Sequence, residues 1–360
     1  MYKMNNTKQH GGEILGKGAW GLVIDACDMS INSFCKMVSL DDKVSIYVDD
    51  SKSFIADIQE FINWISDYRG VVKTFSRKDK FIREIQENEK VLKIHENRPE
   101  YIALEYPTYN EIKIAGIEVK SNKGIIYAIF GHKCNPIYKL NGDNIYGFIS
   151  DMLKRIKVIN SNGYYHNDIK MANIMFCKNR YILIDWGASG YQSDNYLDYN
   201  VGGAPIFSSP MKLYLTSKHN KLKHIRTQNI PYIVLKSYIL KGRKDYDYIS
   251  HGMFTPDSDP KRQKYLQIKK LLTRRYTHFL MKLKEFDYNE KKIYEHYRKS
   301  FDVYMLGMTI FHAIYKFDLT ENIETLINIV KKFTSLKHPL DVDSAINVFN
   351  ENVKFLDKKN

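Results

Sequence analysis

The stretch Tyr164–Gly187, YYHNDIKMANIMFCKNRYILIDWG, decides how this chain is read. It sets Asp168 two residues before Lys170 and five before Asn173. The apolar runs Ile174–Phe176 and Tyr181–Ile184 then read as a short hairpin that delivers Asp185 ahead of Gly187. A carboxylate, an ammonium, an amide and a second carboxylate are what metal-assisted phosphoryl transfer requires. One carboxylate takes the proton of the attacking hydroxyl and the second holds a divalent metal with the amide. The ammonium neutralises charge on the moving group.

The rest of the composition is compatible with an enzyme of that kind. A chain of 360 residues suits one large domain or two smaller ones. Hydrophobic content of 44% with 13% aromatic is ample for a core and excludes wholesale disorder. No apolar window of about eighteen residues is present, which excludes a membrane-spanning helix, and the polar start MYKMNNTKQH is unlike a signal peptide. Cys27, Cys35, Cys134 and Cys177 have no CxxC spacing and no histidine partners, so they read as reduced thiols of an intracellular protein, without a zinc site. A net charge of +14 predicts electrostatic partners and says nothing of fold.

The pattern HxDIKxxN…DxG resembles the catalytic loop and metal-binding loop of eukaryotic-type protein kinases. The HNDIK form is similar to the HGDIK loops of the casein kinase I and vaccinia-related kinase groups. Upstream, Ile14-Leu15-Gly16-Lys17-Gly18-Ala19-Trp20-Gly21-Leu22-Val23 is a GxGxxGxV run with strand-like flanks. Its three glycines let a strand–turn–strand backbone come close to phosphates, amides foremost. The resemblance implies that this loop covers ATP, with Val23 on one face of the adenine. It also calls for a strand lysine paired with a helical glutamate. Lys73, in the apolar run Gly70–Phe75, is chosen over Lys36, because the amphipathic helix 81–94 follows it. Glu87 is the preferred partner, for its apolar neighbours Val91 and Ile94; Glu84, in an FxxE setting behind Phe81, is the alternative.

Between the loop and Lys73, residues 30–66 read as an insertion, with a small helix over Ile55–Tyr68. Tyr101–Glu105, Glu111–Val119 and Gly124–Phe130 alternate like strands and lead to a hinge at Gly131–Asn135, which would floor the adenine slot. The spacing predicts a helix over Ile145–Asn162 ending at Gly163. Within the loop His166 reads as structural. Asn167 stands where regulated kinases carry arginine, so nothing there could clamp a phosphorylated activation segment. Activity independent of activation-loop phosphorylation follows. Trp186 replaces the usual Phe of the DxG turn.

Downstream, Gly203–Met211 resembles GTPxYxSPE, with Ala204 lacking the usual hydroxyl and Met211 in place of the glutamate. Val342, in His338–Ala345, stands where that glutamate's arginine partner would be. Losing one partner of a buried ion pair costs about 3–5 kcal/mol, whereas replacing both can be neutral. Asp302–Gly307 resembles the DxxSxG helix whose buried aspartate caps the catalytic loop. Residues 212–298 carry 21 Lys/Arg against 8 Asp/Glu, nearly all of the excess charge. They read as a basic, partly helical insertion, with a solvated face or a surface for an acidic protein or nucleic acid.

The expected architecture is α+β, a two-lobed protein kinase-like fold with two insertions. Its N-lobe spans 13–131 (insertion about 30–66), and its C-lobe spans 132–360 (insertion about 212–298). The resemblance implies γ-phosphate transfer from ATP, with Mg²⁺ or Mn²⁺, to Ser/Thr hydroxyls of proteins. Asp168 would deprotonate the hydroxyl and Lys170 stabilise the γ-phosphate. Asn173 and Asp185 would hold metal, Lys73 with Glu87 would place the α and β phosphates, and Leu15–Gly21 with Val23 would cover them. The alternative is a nucleotide-binding scaffold that uses the basic insertion to bind partners. The heavy use of Lys, Asn, Ile and Tyr fits an AT-rich, viral source, which would place the chain in host cytoplasm.

Overall fold

The computed structural model describes residues 14–17, 22–25, 44–57, 60–61, 63–64, 70–95, 108–121, 124–131, 134–191, 207–212, 215, 278–279 and 281–357. Gly18–Gly21, Lys36, Tyr101–Glu105, Ala204 and residues 216–277 of the basic segment lie outside them. The chain is mixed α/β and divides into two compact units. One comprises residues 1–135 with 175–187, the other 136–174 with 188–360.

The first unit is built on a seven-stranded sheet with the order β1-β2-β5-β9-β8-β3-β4. In chain order these are β1 (Ile14–Lys17), β2 (Leu22–Asp25), β3 (Val44–Tyr47), β4 (Ser53–Ala56), β5 (Val71–Phe75), β8 (Gly116–Ser121) and β9 (Gly124–Gly131). All neighbouring pairs are antiparallel. Period-two alternation sorts the side chains. Val72, Ala128 and Phe130 join Val44, Ile46, Ile117 and Val119 in one core cluster. Phe75, Tyr127 and Ile129 join a second, which also contains Phe81 and Ile85 of helix α1 (Lys78–Ile94). Phe81 is the anchor, fully buried with its ring 5.1 Å from Tyr47 and 5.4 Å from Tyr127. Gly116 makes room for it, since a Cβ there would stand 2.5 Å from the Phe81 ring. Lys73 shares the alternation of Val71 and Phe75, so β5 aims it to the helix-bearing side.

Residues 44–64 lie within the expected insertion, between β2 and β5, which pair directly. Ile55 lies in strand β4 rather than in a helix, and β3 pairs with both β4 and β8. Ser45, Ile46 and Tyr47 suit a ladder between two partners, and backbone pairing draws Ile55 into it, whereas Glu60, Phe61, Asn63 and Trp64 are helical as expected. The turn between the strands is local side-chain chemistry: the Asp49 carboxylate accepts from Ser51 N at 2.8 Å and Lys52 N at 2.6 Å. Phe61 and Trp64 then pack on the first cluster, Trp64 edge-on to Phe130 at 5.7 Å. The stretch therefore supplies sheet and core.

The expected strand Glu111–Val119 is also divided. Asn110 and Glu111 take left-handed φ of 44° and 66° in the turn between β6 (Thr108–Tyr109) and β7 (Ile112–Lys113). After the short β10 (Asn135–Pro136), the same unit takes in the hairpin β12 (Ile174–Cys177) and β13 (Arg180–Leu183). Here the reading of the cysteines is corrected: Cys134 and Cys177 are joined as a disulfide, packed with Ile182. They are 43 residues apart, so no local spacing announced the pair.

The second unit is helical. Helix α2 (Gly142–Ser161) starts three residues before the expected Ile145. A reciprocal cap explains this: Asn144 N donates to Asn141 Oδ1 at 3.1 Å and Asn141 N to Asn144 Oδ1 at 2.8 Å. Its buried face is Ile145, Phe148, Ile149, Met152, Leu153, Ile156 and Ile159. Helices α3 (Glu290–Tyr297), α4 (Phe301–Lys316), α5 (Ile323–Phe333) and α6 (Val342–Asp357) follow. Helix α4 is central, buried along most of its length and touching α2 and α5. Gly307 permits the closest approach, because a Cβ there would lie 2.6 Å from Thr334 Cγ2 and 2.8 Å from Phe333 Cβ. Met211 and Val342 are both buried.

Candidate functional site

The first cluster belongs to the sheet unit. Lys73 stands cross-strand from Val23 of β2 and Ile129 of β9. Its Nζ donates to Glu84 Oε1 at 2.7 Å and to Asp185 Oδ1 at 3.0 Å. Glu84 lies one helical turn beyond the anchored Phe81, and so on the face that meets the sheet. The partnership is therefore with Glu84 and not with the preferred Glu87, whose carboxylate instead takes Lys90 at 3.0 Å. The flanking residues Val91 and Ile94 misled, because Glu87 is also buried yet points along the helix to its neighbour. Burial opposes the Lys73 charge, but the Glu84 and Asp185 carboxylates outweigh it and raise the lysine above its ordinary range. Asp185 sits just after β13 with φ of 64°, a left-handed turn that aspartate tolerates. Its side chain is 39% exposed.

The second cluster belongs to the helical unit. Lys170 Nζ and Asn173 Nδ2 both donate to Asp168 Oδ2, at 2.7 and 2.9 Å, and Asn173 Nδ2 also reaches the Asp168 carbonyl at 2.9 Å. Asn173 closes a 3₁₀ turn, Met171–Asn173, so its position follows from the local backbone. Bonding through Nδ2 leaves Oδ1 as the acceptor end of the amide. The loop itself is held from α4. Asp302, fully buried, accepts from His166 N and Asn167 N, each at 2.9 Å, and from Asn160 Nδ2 at 3.2 Å. Thr309 Oγ1 reaches the Ile169 carbonyl at 3.2 Å. His166 is buried, its Nδ1 facing the Asp168 amide at 3.3 Å, in line with a structural role.

Lys212 was not singled out from the sequence. It was grouped with the basic segment, yet it is 1% exposed and donates to the Asn167 carbonyl at 2.6 Å. The available signal was its place beside buried Pro210 and Met211. Of the glycine-loop residues, Leu15, Gly16 and Lys17 lie on β1 and Val23 on β2, paired Gly16 to Val23. Gly18, Ala19, Trp20 and Gly21 lie outside the described residues.

The described residues thus define a mixed α/β protein with two clusters in which lysines and amides are organised on carboxylates. No protein-family model matches the chain. Over 118 residues, 30% of this chain, it is 28% identical to mitogen-activated protein kinase kinase kinase 8 of Rattus norvegicus. The match covers 25% of that protein, well under two thirds of its length. This partial similarity suggests a protein kinase relationship. Among the described residues no helix is long and apolar enough to cross a membrane.

Proposed function

We propose that the chain is an ATP-dependent protein kinase of the two-lobed kinase fold, acting on Ser/Thr hydroxyls. The observation that carries this reading is the convergence of Glu84 and Asp185 on Lys73, across sequence separations of 11 and 112 residues. An ammonium fixed by a helical glutamate is preorganised for the α and β phosphates of a nucleotide. Bound ATP with Mg²⁺ or Mn²⁺ supplies the transferable phosphoryl group and neutralises its charge. Among the described residues no group of three or more His, Cys, Asp or Glu could form a metal cage by itself. Asn173 Oδ1 and the Asp185 carboxylate are each oxygen donors of the hard type that Mg²⁺ takes.

In this reading Asp168 orients the substrate hydroxyl and accepts its proton. Lys170, already bonded to Asp168, presents its charge to the γ-phosphate. Asp302 keeps the loop in register through two backbone amides, so Asp168 needs no reorganisation at the moment of reaction. Asn167 bears no guanidinium, so the proposed activity needs no activation-loop phosphate.

The experiment is transfer of label from γ-labelled ATP to generic acidic and basic proteins, with phosphoamino acid analysis. Label on Ser and Thr that disappears in Lys73→Met is the expected result. Tight Mg–ATP binding without transfer would replace the reading with a nucleotide-binding scaffold. Label only on small molecules would point to another phosphotransferase.

A further inference from the structure

Lys212 is a cation buried next to the loop that carries Asp168. Its Nζ lies 2.6 Å from the Asn167 carbonyl, 3.4 Å from Asn167 Oδ1 and 3.9 Å from Met305 Sδ. That carbonyl belongs to the peptide that leads into Asp168. The amides on its other side, His166 N and Asn167 N, are held by the Asp302 carboxylate. The loop is therefore gripped from two directions, its carbonyl by a cation and its amides by an anion. Asn167 has a left-handed φ of 64°, so the peptide is turned out of the ordinary backbone path at this point. A charge-assisted bond in a buried setting resists rotation of that peptide more strongly than a neutral one.

Stability is a poor reason for such a group. A desolvated ammonium is costly, and burial outweighs the attraction of the Asp302 and Asp168 carboxylates for the Lys212 charge. We propose that Lys212 is a positioning residue for Asp168. Through the Asn167 carbonyl it sets the peptide from which the catalytic carboxylate projects. This inference rests on the kinase reading.

The test compares full-length wild type, Lys212→Met and Lys212→Gln. Methionine fills the same space without the donor, and glutamine keeps an N–H for the carbonyl. A small displacement of a catalytic group can cost up to about a hundredfold in rate. We expect Lys212→Met to lower kcat by about tenfold or more, with KM for ATP within about threefold. Lys212→Gln should recover at least about threefold of that loss. A methionine variant with wild-type kcat overturns the proposal. One that fails to fold, or that loses rate and Tm together without rescue by glutamine, assigns Lys212 a structural role and overturns it too. An inactive wild type would end the kinase reading by itself. The loop claim is then decided by amide exchange across residues 166–169: about tenfold faster in Lys212→Met supports it, and unchanged exchange overturns it.

Discussion

Glu84 and Glu87 differ by less than one helical turn, are equally buried, and have different partners. If Lys73 places phosphates, only the glutamate that holds it should matter for turnover. Glu84→Gln is expected to lower kcat/KM for ATP by about a hundredfold, and Glu87→Gln by less than about threefold. Equal losses, or the reverse order, would show that the pair does not work as described. The charged groups were legible as types. The order of Asp168, Lys170, Asn173 and Asp185 stood in the sequence, and so did the need for a strand lysine. Which glutamate faced that lysine was not legible, because both have apolar neighbours at helical spacing. The choice is made by Phe81, whose burial against Tyr47 and Tyr127 fixes the rotation of α1. Lys212 was hidden for the opposite reason: it stands at the head of a stretch where lysine is the commonest charge, and composition hides one buried cation.

At the scale of elements, α4 carries the most consequence. It supplies Asp302 to the loop, Thr309 to Ile169, and Gly307 to the contact with the end of α5. Gly307→Val forces its side chain into Phe333 and Thr334, and overpacking of this kind costs about 1–3 kcal/mol. Thermal unfolding should fall by several degrees, and an unchanged Tm would mean that the helices separate at no cost. The same helix makes the fold sensitive to acid. Burial, helped by Lys316, lowers His312 from its ordinary 6.5 to about 4. Between those values the unfolded chain binds a proton that the folded chain refuses, so stability falls as pH drops through 6.5 toward 4. The full effect is about 3 kcal/mol. His312→Phe should flatten Tm against pH across that window, and a parallel decline in both proteins would refute the assignment. Helix α2 was readable because its apolar face repeats, and its start was missed because the Asn141 cap lies ahead of the apolar run. The strands β3 and β4 were not readable, since residues 44–64 were set aside as an insertion. Four-residue strands are established only by their partners, here β8 far along the chain.

Across the whole molecule, the constellation is divided by chain order as well as by unit. Lys73, Glu84 and Asp185 belong to the sheet unit, and Asp168, Lys170 and Asn173 to the helical one. The hairpin β12–β13 begins directly after Asn173 and ends just before Asp185, so eight residues of regular strand deliver one group after the other. The sequence could be read this far because a motif carries its own spacing. The Cys134–Cys177 bond could not, because it depends on where the hairpin lies. The central claim is that Asp168 acts in the chemical step while other residues hold the nucleotide. The measurement that tests it most directly is γ-phosphate transfer beside Mg–ATP affinity, for wild type and Asp168→Asn. The account predicts equal affinity within about threefold and a transfer rate lower by about a hundredfold or more in the variant. Equal transfer by the two proteins would contradict it.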